Sequence, residues 1–303
     1  MPLIECVPNV SEGRRTDVIA ALAAAIAAPG IHVLDQSSDP SHNRTVYTFA
    51  GEAGALGDAV LRLFTAAVDA IDLRVHEGVH PRVGAVDVVP FVPLQDATME
   101  DCVALAKSAA ARVAERLDVP VFLYENAAQN DERRSLSDIR RGGIDGIALR
   151  MKQAAWRPDF GPDRPHPTAG ACAIGARAIL IAYNVNLASN RLGVAKRIAS
   201  AIRASSGGLA QVKALGLQLD NGLVQVSTNL TNYQETSMTT VFDVIAREAA
   251  ADGVRVLESE IVGLAPREAL PPDPARRLKL RARDLDRVLE RRLEAVTGKS
   301  NPA

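Results

Sequence analysis

The feature that most restricts this chain is the order of its hydrophobic periods, which reads strand, helix, strand, strand, helix, strand and then runs through the same order again. An apolar run at residues 3–7 stops at Pro8-Asn9, and an alanine- and isoleucine-rich helical pattern begins at Thr16 and ends at Pro29-Gly30. Residues 31–34 and 45–50 are expected as strands joined by the turn-rich Ser37-Ser38-Asp39-Pro40-Ser41, residues 53–70 as a helix, and residues 86–92 as a strand. A helix at 99–117, a strand at 119–124 and a short helix at 144–152 follow. The second half is cleaner: a strand at 178–185, a helix at 190–204, strands at 212–219 and 224–229 paired across Asp220-Asn221-Gly222, a helix at 236–251 and a strand at 254–261. The expectation is an α+β protein of two tandem ferredoxin-like (β-α-β-β-α-β) subdomains, each with two helices on one face of an antiparallel sheet. The halves share an order of elements, not a repeat of residues.

A chain of 303 residues exceeds what a single core of ordinary size holds, which agrees with two units. The expected boundaries are 1–177, 178–270 and a basic helical tail at 271–303, where Arg276, Arg277, Lys279, Arg281 and Arg283 precede Leu285, Val288, Leu289 and Leu293 at helical spacing. Between the halves, Pro158, Pro162, Pro165, Pro167, Gly161 and Gly170 forbid regular structure, so residues 157–170 are expected as a long crossing loop that lines a ligand cleft or tunnel between the subdomains. The 35 basic and 36 acidic residues nearly cancel, so nucleic acid is not an expected partner. Cys6, Cys102 and Cys172 are widely spaced and odd in number, which fits neither a disulfide framework nor a zinc site and points to the cytoplasm. No apolar stretch has signal-peptide or membrane-spanning length, so a soluble, unexported protein without membrane contact is expected.

Five histidines carry most of the chemical information: His32, His42, His76, His80 and His166. His76 to His80 spells HExxH, but zinc binding by that motif needs both rings on one helical face, and Gly78 with Pro81 opposes a helix, so no metal is expected. His80 stands in His80-Pro81-Arg82-Val83-Gly84-Ala85, a loop feeding the strand at 86–92, where a ring held beside a rigid element serves as a proton-transfer group or simply packs a turn. Residues 9–14, with Asn9, Ser11 and Arg14, form a helix cap or a carboxylate site. Gly142-Gly143 and Gly207-Gly208 lack nucleotide-binding spacing and are taken as ordinary loop glycines.

Seven phrases in order over residues 3–265 resemble the formiminotransferase domain of glutamate formimidoyltransferases. They are residues 5–13, Asn43-Arg44-Thr45-Val46-Tyr47-Thr48-Phe49, residues 80–87, Asp159-Phe160-Gly161-Pro162, His166-Pro167-Thr168-Ala169-Gly170-Ala171, Ala182-Tyr183-Asn184-Val185-Asn186-Leu187 and Gln225-Val226-Ser227-Thr228-Asn229-Leu230. The resemblance implies transfer of a formimino group from N-formimidoyl-L-glutamate to tetrahydrofolate in histidine degradation, a folate tunnel between two subdomains, and a homodimer. It implies that His80 is catalytic and that the folate loop corresponds to Gly161, Pro162, Asp163, Arg164, Pro165, His166, Pro167, Thr168, Ala169 and Gly170. Because both substrates carry carboxylates, Arg14, Arg44 and Arg82, with Asn9, Ser11 and Asn43, are the expected substrate-binding set. Where some relatives carry an acid this chain has Ser37, so no acidic partner is assigned to His80. With no room for a cyclodeaminase domain, a monofunctional protein is expected. The competing readings are an enzyme acting on 5-formyltetrahydrofolate and a non-catalytic folate-binding module.

Overall fold

The protein is described by a computed structural model covering residues 2–79 and 81–298, so His80 and residues 299–303 lie outside the described residues. The chain divides into two compact units, Met1–Ala178 and Ile179–Ala303.

Unit 1 contains β1 (Ile4–Cys6), β2 (Asn9–Val10), α1 (Thr16–Ile26), β3 (Ile31–Asp39), β4 (Arg44–Gly51), α2 (Ala53–Ala70) and β5 (Val86–Pro93). After these come α3 (Met99–Leu117), β6 (Val121–Glu125), α4 (Leu136–Ile139), α5 (Gly143–Arg150) and β7 (Cys172–Ala176). β1 and β2 are two pieces of one track, each antiparallel to β4 on one side and β5 on the other. The break falls at Val7-Pro8, where proline has no N–H to give to a ladder. With β3 on β4, the first four tracks lie in the order second, third, first, fourth, and β5 then continues in parallel to β7 and β6. The β5-α3-β6 connection is long enough for such a crossover because α3 fills it. α3 starts at a capping box, in which Thr98 Oγ1 accepts from Asp101 N (3.1 Å) while Asp101 Oδ2 accepts from Thr98 N (2.9 Å).

Residues 37–39 belong to β3 instead of a turn: Asp39 pairs with Arg44, Ser38 and Thr45 bond through their hydroxyls across the ladder (2.9 Å), and the reversal is confined to residues 40–43. The stretch 157–170 does not cross between halves but stays within unit 1 and returns into β7, a strand not expected from the sequence. Its residues, Cys172-Ala173-Ile174-Gly175-Ala176, are small apart from Ile174 and show no alternation because both faces of that part of the sheet are covered. Leu22, Leu63, Phe64, Ala106 and Val113 from the helices pack on one face. Ile139, Ile147, Met151 and Trp156 pack on the other, against Phe122, Tyr124 and Ala173.

Unit 2 runs β8 (Ile181–Leu187), α6 (Leu192–Ile202), β9 (Val212–Gln218), β10 (Val224–Leu230), α7 (Met238–Ala251) and β11 (Val256–Val262). Its sheet is antiparallel in the order β11-β8-β10-β9, the same second, third, first, fourth sequence of neighbours read from the other edge. Gly222, with φ +81°, turns the β9–β10 hairpin where Asp220-Asn221-Gly222 was expected to do so. The segment after Pro271 is not one appended helix. It forms α8 (Pro274–Arg277) and α9 (Leu289–Thr297), and between them Leu278 and Leu280 enter the core of this unit while Leu280 bridges Ser259. Its basic face is engaged, Arg277 with Asp243 (2.6 Å) and Arg281 with Glu258 (2.6 Å). Among the described residues no helix is long and apolar enough to cross a membrane.

Candidate active site

Three segments of unit 1 meet at the entry to β5 and β7. Ser11 N donates to Ala85 O (2.8 Å) and Ser11 Oγ to Gly84 O (2.7 Å), fixing the residues after β2 onto the residues before β5. Ala85 N donates to Ala169 O (2.9 Å) and Ala171 N to Val83 O (2.8 Å), so residues 83–85 are laced to residues 169–171. Leu73 N donates to Thr168 O (2.8 Å) and anchors the end of α2's connection to the same turn. Gly84 and Gly170 allow this approach: a Cβ on Gly84 would stand 2.0 Å from Ala171 O, and one on Gly170 (φ +72°) 2.2 Å from Val83 O. Gly170→Ala is therefore expected to destabilise the protein by about 1–3 kcal/mol through backbone strain alone. A urea midpoint unchanged from the parent would show that the lacing yields freely.

A cavity of about 630 Å³ opens at this junction, lined by Gly78, Val79, Pro81 and Arg82 from one side, His166, Pro167, Thr168 and Gly170 from another, and Gly142 to Asp145 at the start of α5. The volume lies within the usual range for small-ligand sites, about 300–1,000 Å³. Both residues that flank position 80 thus border it, as do four residues at the end of the 161–170 loop. The start of that loop does not: Gly161 (φ +89°) packs against Val119 and Pro120 at the entry to β6, and Val121 N donates to Phe160 O (2.9 Å).

The loop through position 80 is held on both sides by bonds to its own backbone. Arg82 donates from Nη1 to Gly78 O (3.0 Å) and from Nη2 to His76 O (2.6 Å). Val83 N donates to Asp87 Oδ1 (2.7 Å). Asp87, nearly inaccessible on β5, also accepts from Arg140 Nε (2.8 Å), tying the approach to α5 to the same loop. Asn43, with φ +47°, accepts from Gly13 N (2.9 Å) and donates to Glu77 O (2.8 Å), while His76 Nε2 meets Asn43 O (3.1 Å). The segment 72–79 contains no helix, in keeping with the reason for setting the HExxH spelling aside.

Of the expected substrate-binding set, only Arg82 lines the cavity. Asn9 donates to Val7 O (3.1 Å), Arg14 Nε to Pro40 O (2.9 Å), and the Asn43 amide links two backbones. The Arg44 guanidinium is enclosed: burial, then repulsion from Arg140, opposed by Asp87 and Asp39, pushes its pKa down to about 9. Sequence reasoning missed the Asp87–Arg140 pair and the part that Gly142-Gly143 play in the cavity wall, where both, as loop glycines do, take positive φ values of +76° and +62°. The signal for Asp87 was present, since it is a lone charge inside the apolar run Val86-Asp87-Val88-Val89. For Arg140 there was none, because its partner lies 53 residues away.

Residues 3–177 match the model of the formiminotransferase domain's N-terminal subdomain, and residues 182–275 match that of the formiminotransferase domain. The chain belongs to the formiminotransferase family. It is 46% identical over 298 residues to the glutamate formimidoyltransferase of Thermoplasma acidophilum, covering 97% of this chain and 98% of that one. To the glutamate formimidoyltransferase of Streptococcus pyogenes serotype M1 it is 43% identical over 270 residues, 88% and 90% of the two chains. It is also 45% identical to the formimidoyltransferase-cyclodeaminase of Sus scrofa over 88% of this chain and 51% of that one.

Proposed function

We propose that this protein transfers the formimino group of N-formimidoyl-L-glutamate to N5 of tetrahydrofolate, releasing L-glutamate. The observation that carries this reading is the cavity bordered at once by the residues flanking position 80 and by His166, Pro167, Thr168 and Gly170, in a chain 43–46% identical to two glutamate formimidoyltransferases. Tetrahydrofolate is a co-substrate, bound against residues 166–170, and the protein works in the cytoplasm as a homodimer.

N5 attacks the carbon of the protonated amidine: the N5–C bond forms as the C=N π pair moves onto its nitrogen, and the N5 proton passes to His80. That nitrogen's lone pair then re-forms the C=N bond as the C–N bond to glutamate breaks, and the same proton goes from His80 to the departing nitrogen. An imidazole suits both transfers because its ordinary pKa of about 6.5 lets it accept and return a proton near neutrality. Arg82 holds the loop that carries this ring, so its contribution to substrate carboxylates is through the positive field of the cavity wall more than through a free fork. Purified protein mixed with formimidoylglutamate and tetrahydrofolate is expected to release free glutamate in proportion to folate consumed. Release without tetrahydrofolate would mean hydrolysis, and no release from folded protein would refute the assignment.

A further inference from the structure

His166 closes a tight turn on itself: its N donates to Gly170 O (2.7 Å) and its O accepts from Gly170 N (3.0 Å). Inside that turn the ring nitrogen Nδ1 faces two backbone donors, Ala169 N at 3.0 Å and Thr168 N at 3.3 Å, with Thr168 Oγ1 at 3.4 Å. A backbone N–H can only donate, so Nδ1 must be the accepting, unprotonated nitrogen, and the ring proton must sit on Nε2. Protonating the ring would place an N–H against two others. Burial also holds the ring below its ordinary pKa, with the Asp118 carboxylate opposing it weakly from outside the turn.

His166 borders the cavity, and Nε2 makes no hydrogen bond among the described residues. We propose that His166 is a tautomer-locked, uncharged hydrogen-bond donor, presenting Nε2–H to a carbonyl or carboxylate oxygen of the substrate in the cavity. This rests on the function proposed above and divides the work between two imidazoles. The ring at 80 moves protons, whereas the ring at 166, unable to accept one without breaking its turn, gives a fixed donor that leaves its charge unchanged throughout the reaction. Such a donor needs no reorganisation when negative charge gathers on the oxygen it meets.

Two substitutions separate the donor from the turn. In His166→Asn the amide oxygen can stand where Nδ1 stands and accept from Ala169 N, but nothing reaches the position of Nε2. In His166→Gln the longer amide nitrogen can reach that position as a donor, while the cap on Ala169 is lost. The expected result is that the Asn variant keeps its unfolding midpoint and loses about ten- to a hundredfold in kcat/KM, with the Gln variant recovering part of that loss. In the parent protein, nitrogen NMR of the His166 ring is expected to show Nδ1 unprotonated and Nε2 protonated, and the Nε2–H resonance is expected to move when tetrahydrofolate or formimidoylglutamate is added singly. A protonated Nδ1, an Asn variant as active as the parent, or equal losses in both variants would overturn the proposal. If the parent released no glutamate while its His166 ring showed the Nε2–H tautomer, the functional reading would fail and the tautomer assignment would stand.

Discussion

Alanine at position 80 is expected to lower kcat about a hundred- to ten-thousandfold, the usual contribution of a placed acid–base group, while folate affinity changes little. In free-energy terms this is about 3–5.5 kcal/mol of transition-state stabilisation. The separation between turnover and binding follows from how the loop is built. Val79 N donates to Ser41 O (3.4 Å), Arg82 grips the carbonyls of His76 and Gly78, and Val83 N is held by Asp87, all bonds that leave the residue 80 side chain out of account. Removing an imidazole from a loop held in this way takes away its chemistry and leaves its frame. The decisive measurements are single-turnover rates, tetrahydrofolate titration and an unfolding curve on the same preparation. Full turnover in a folded His80→Ala protein would remove this residue from the mechanism.

Asp87→Ala is expected to have the largest effect on stability, about 3–5 kcal/mol, because it breaks a buried ion pair from one side only. Asp87 is 2% exposed, and its two oxygens have separate duties: Oδ1 takes the Val83 N–H and Oδ2 takes Arg140. The alanine would leave the Arg140 guanidinium and a backbone donor facing each other's vacated partner in a region closed to water. Asp87→Asn keeps an oxygen for Val83 N but turns an NH2 group toward Arg140, which loses both its counter-charge and its acceptor, so it should recover only the part of the alanine loss that comes from the Val83 bond. Activity should drop with Asp87→Ala even at concentrations of denaturant-free buffer where it stays folded, since the same carboxylate joins the 76–83 loop to the segment leading into α5. An Asp87→Ala protein within about 0.5 kcal/mol of the parent, the range of ordinary surface changes, would show that the pair contributes nothing net.

How much of this was legible from the residues differs by element. α2 and α3 lie at 53–70 and 99–117 as expected, since their apolar spacing repeats over four turns or more and α3 carries its own cap at Thr98. β7 was not legible: four small residues and Ile174, buried on both faces, carry neither alternation nor turn signals, and its neighbours β5 and β6 are distant in sequence. The length of β3 was misjudged because Ser37, Ser38 and Asp39 suit a turn by propensity, yet each finds a ladder partner on β4. At the site, the phrase beginning at His80 and the phrase beginning at His166 drew attention for separate reasons, and nothing in either announces that Ala85 and Ala169 are hydrogen-bonded neighbours.

What the sequence determined by itself was the strand–helix order of the two β-α-β-β-α-β runs, the two-unit plan and the family, because these depend on local periodicity and on short phrases that survive reading in one dimension. What only the tertiary structure decided was which polar side chains are occupied and which are left to act. Arg14, Asn43 and Arg82 each have backbone carbonyls to serve, and His166, which lines the cavity, has one ring nitrogen spent on its own turn. The physical reason is that a hydrogen-bonding group is used up by whatever donor or acceptor packing brings within about 3 Å, and that partner is set by chain segments far apart in sequence.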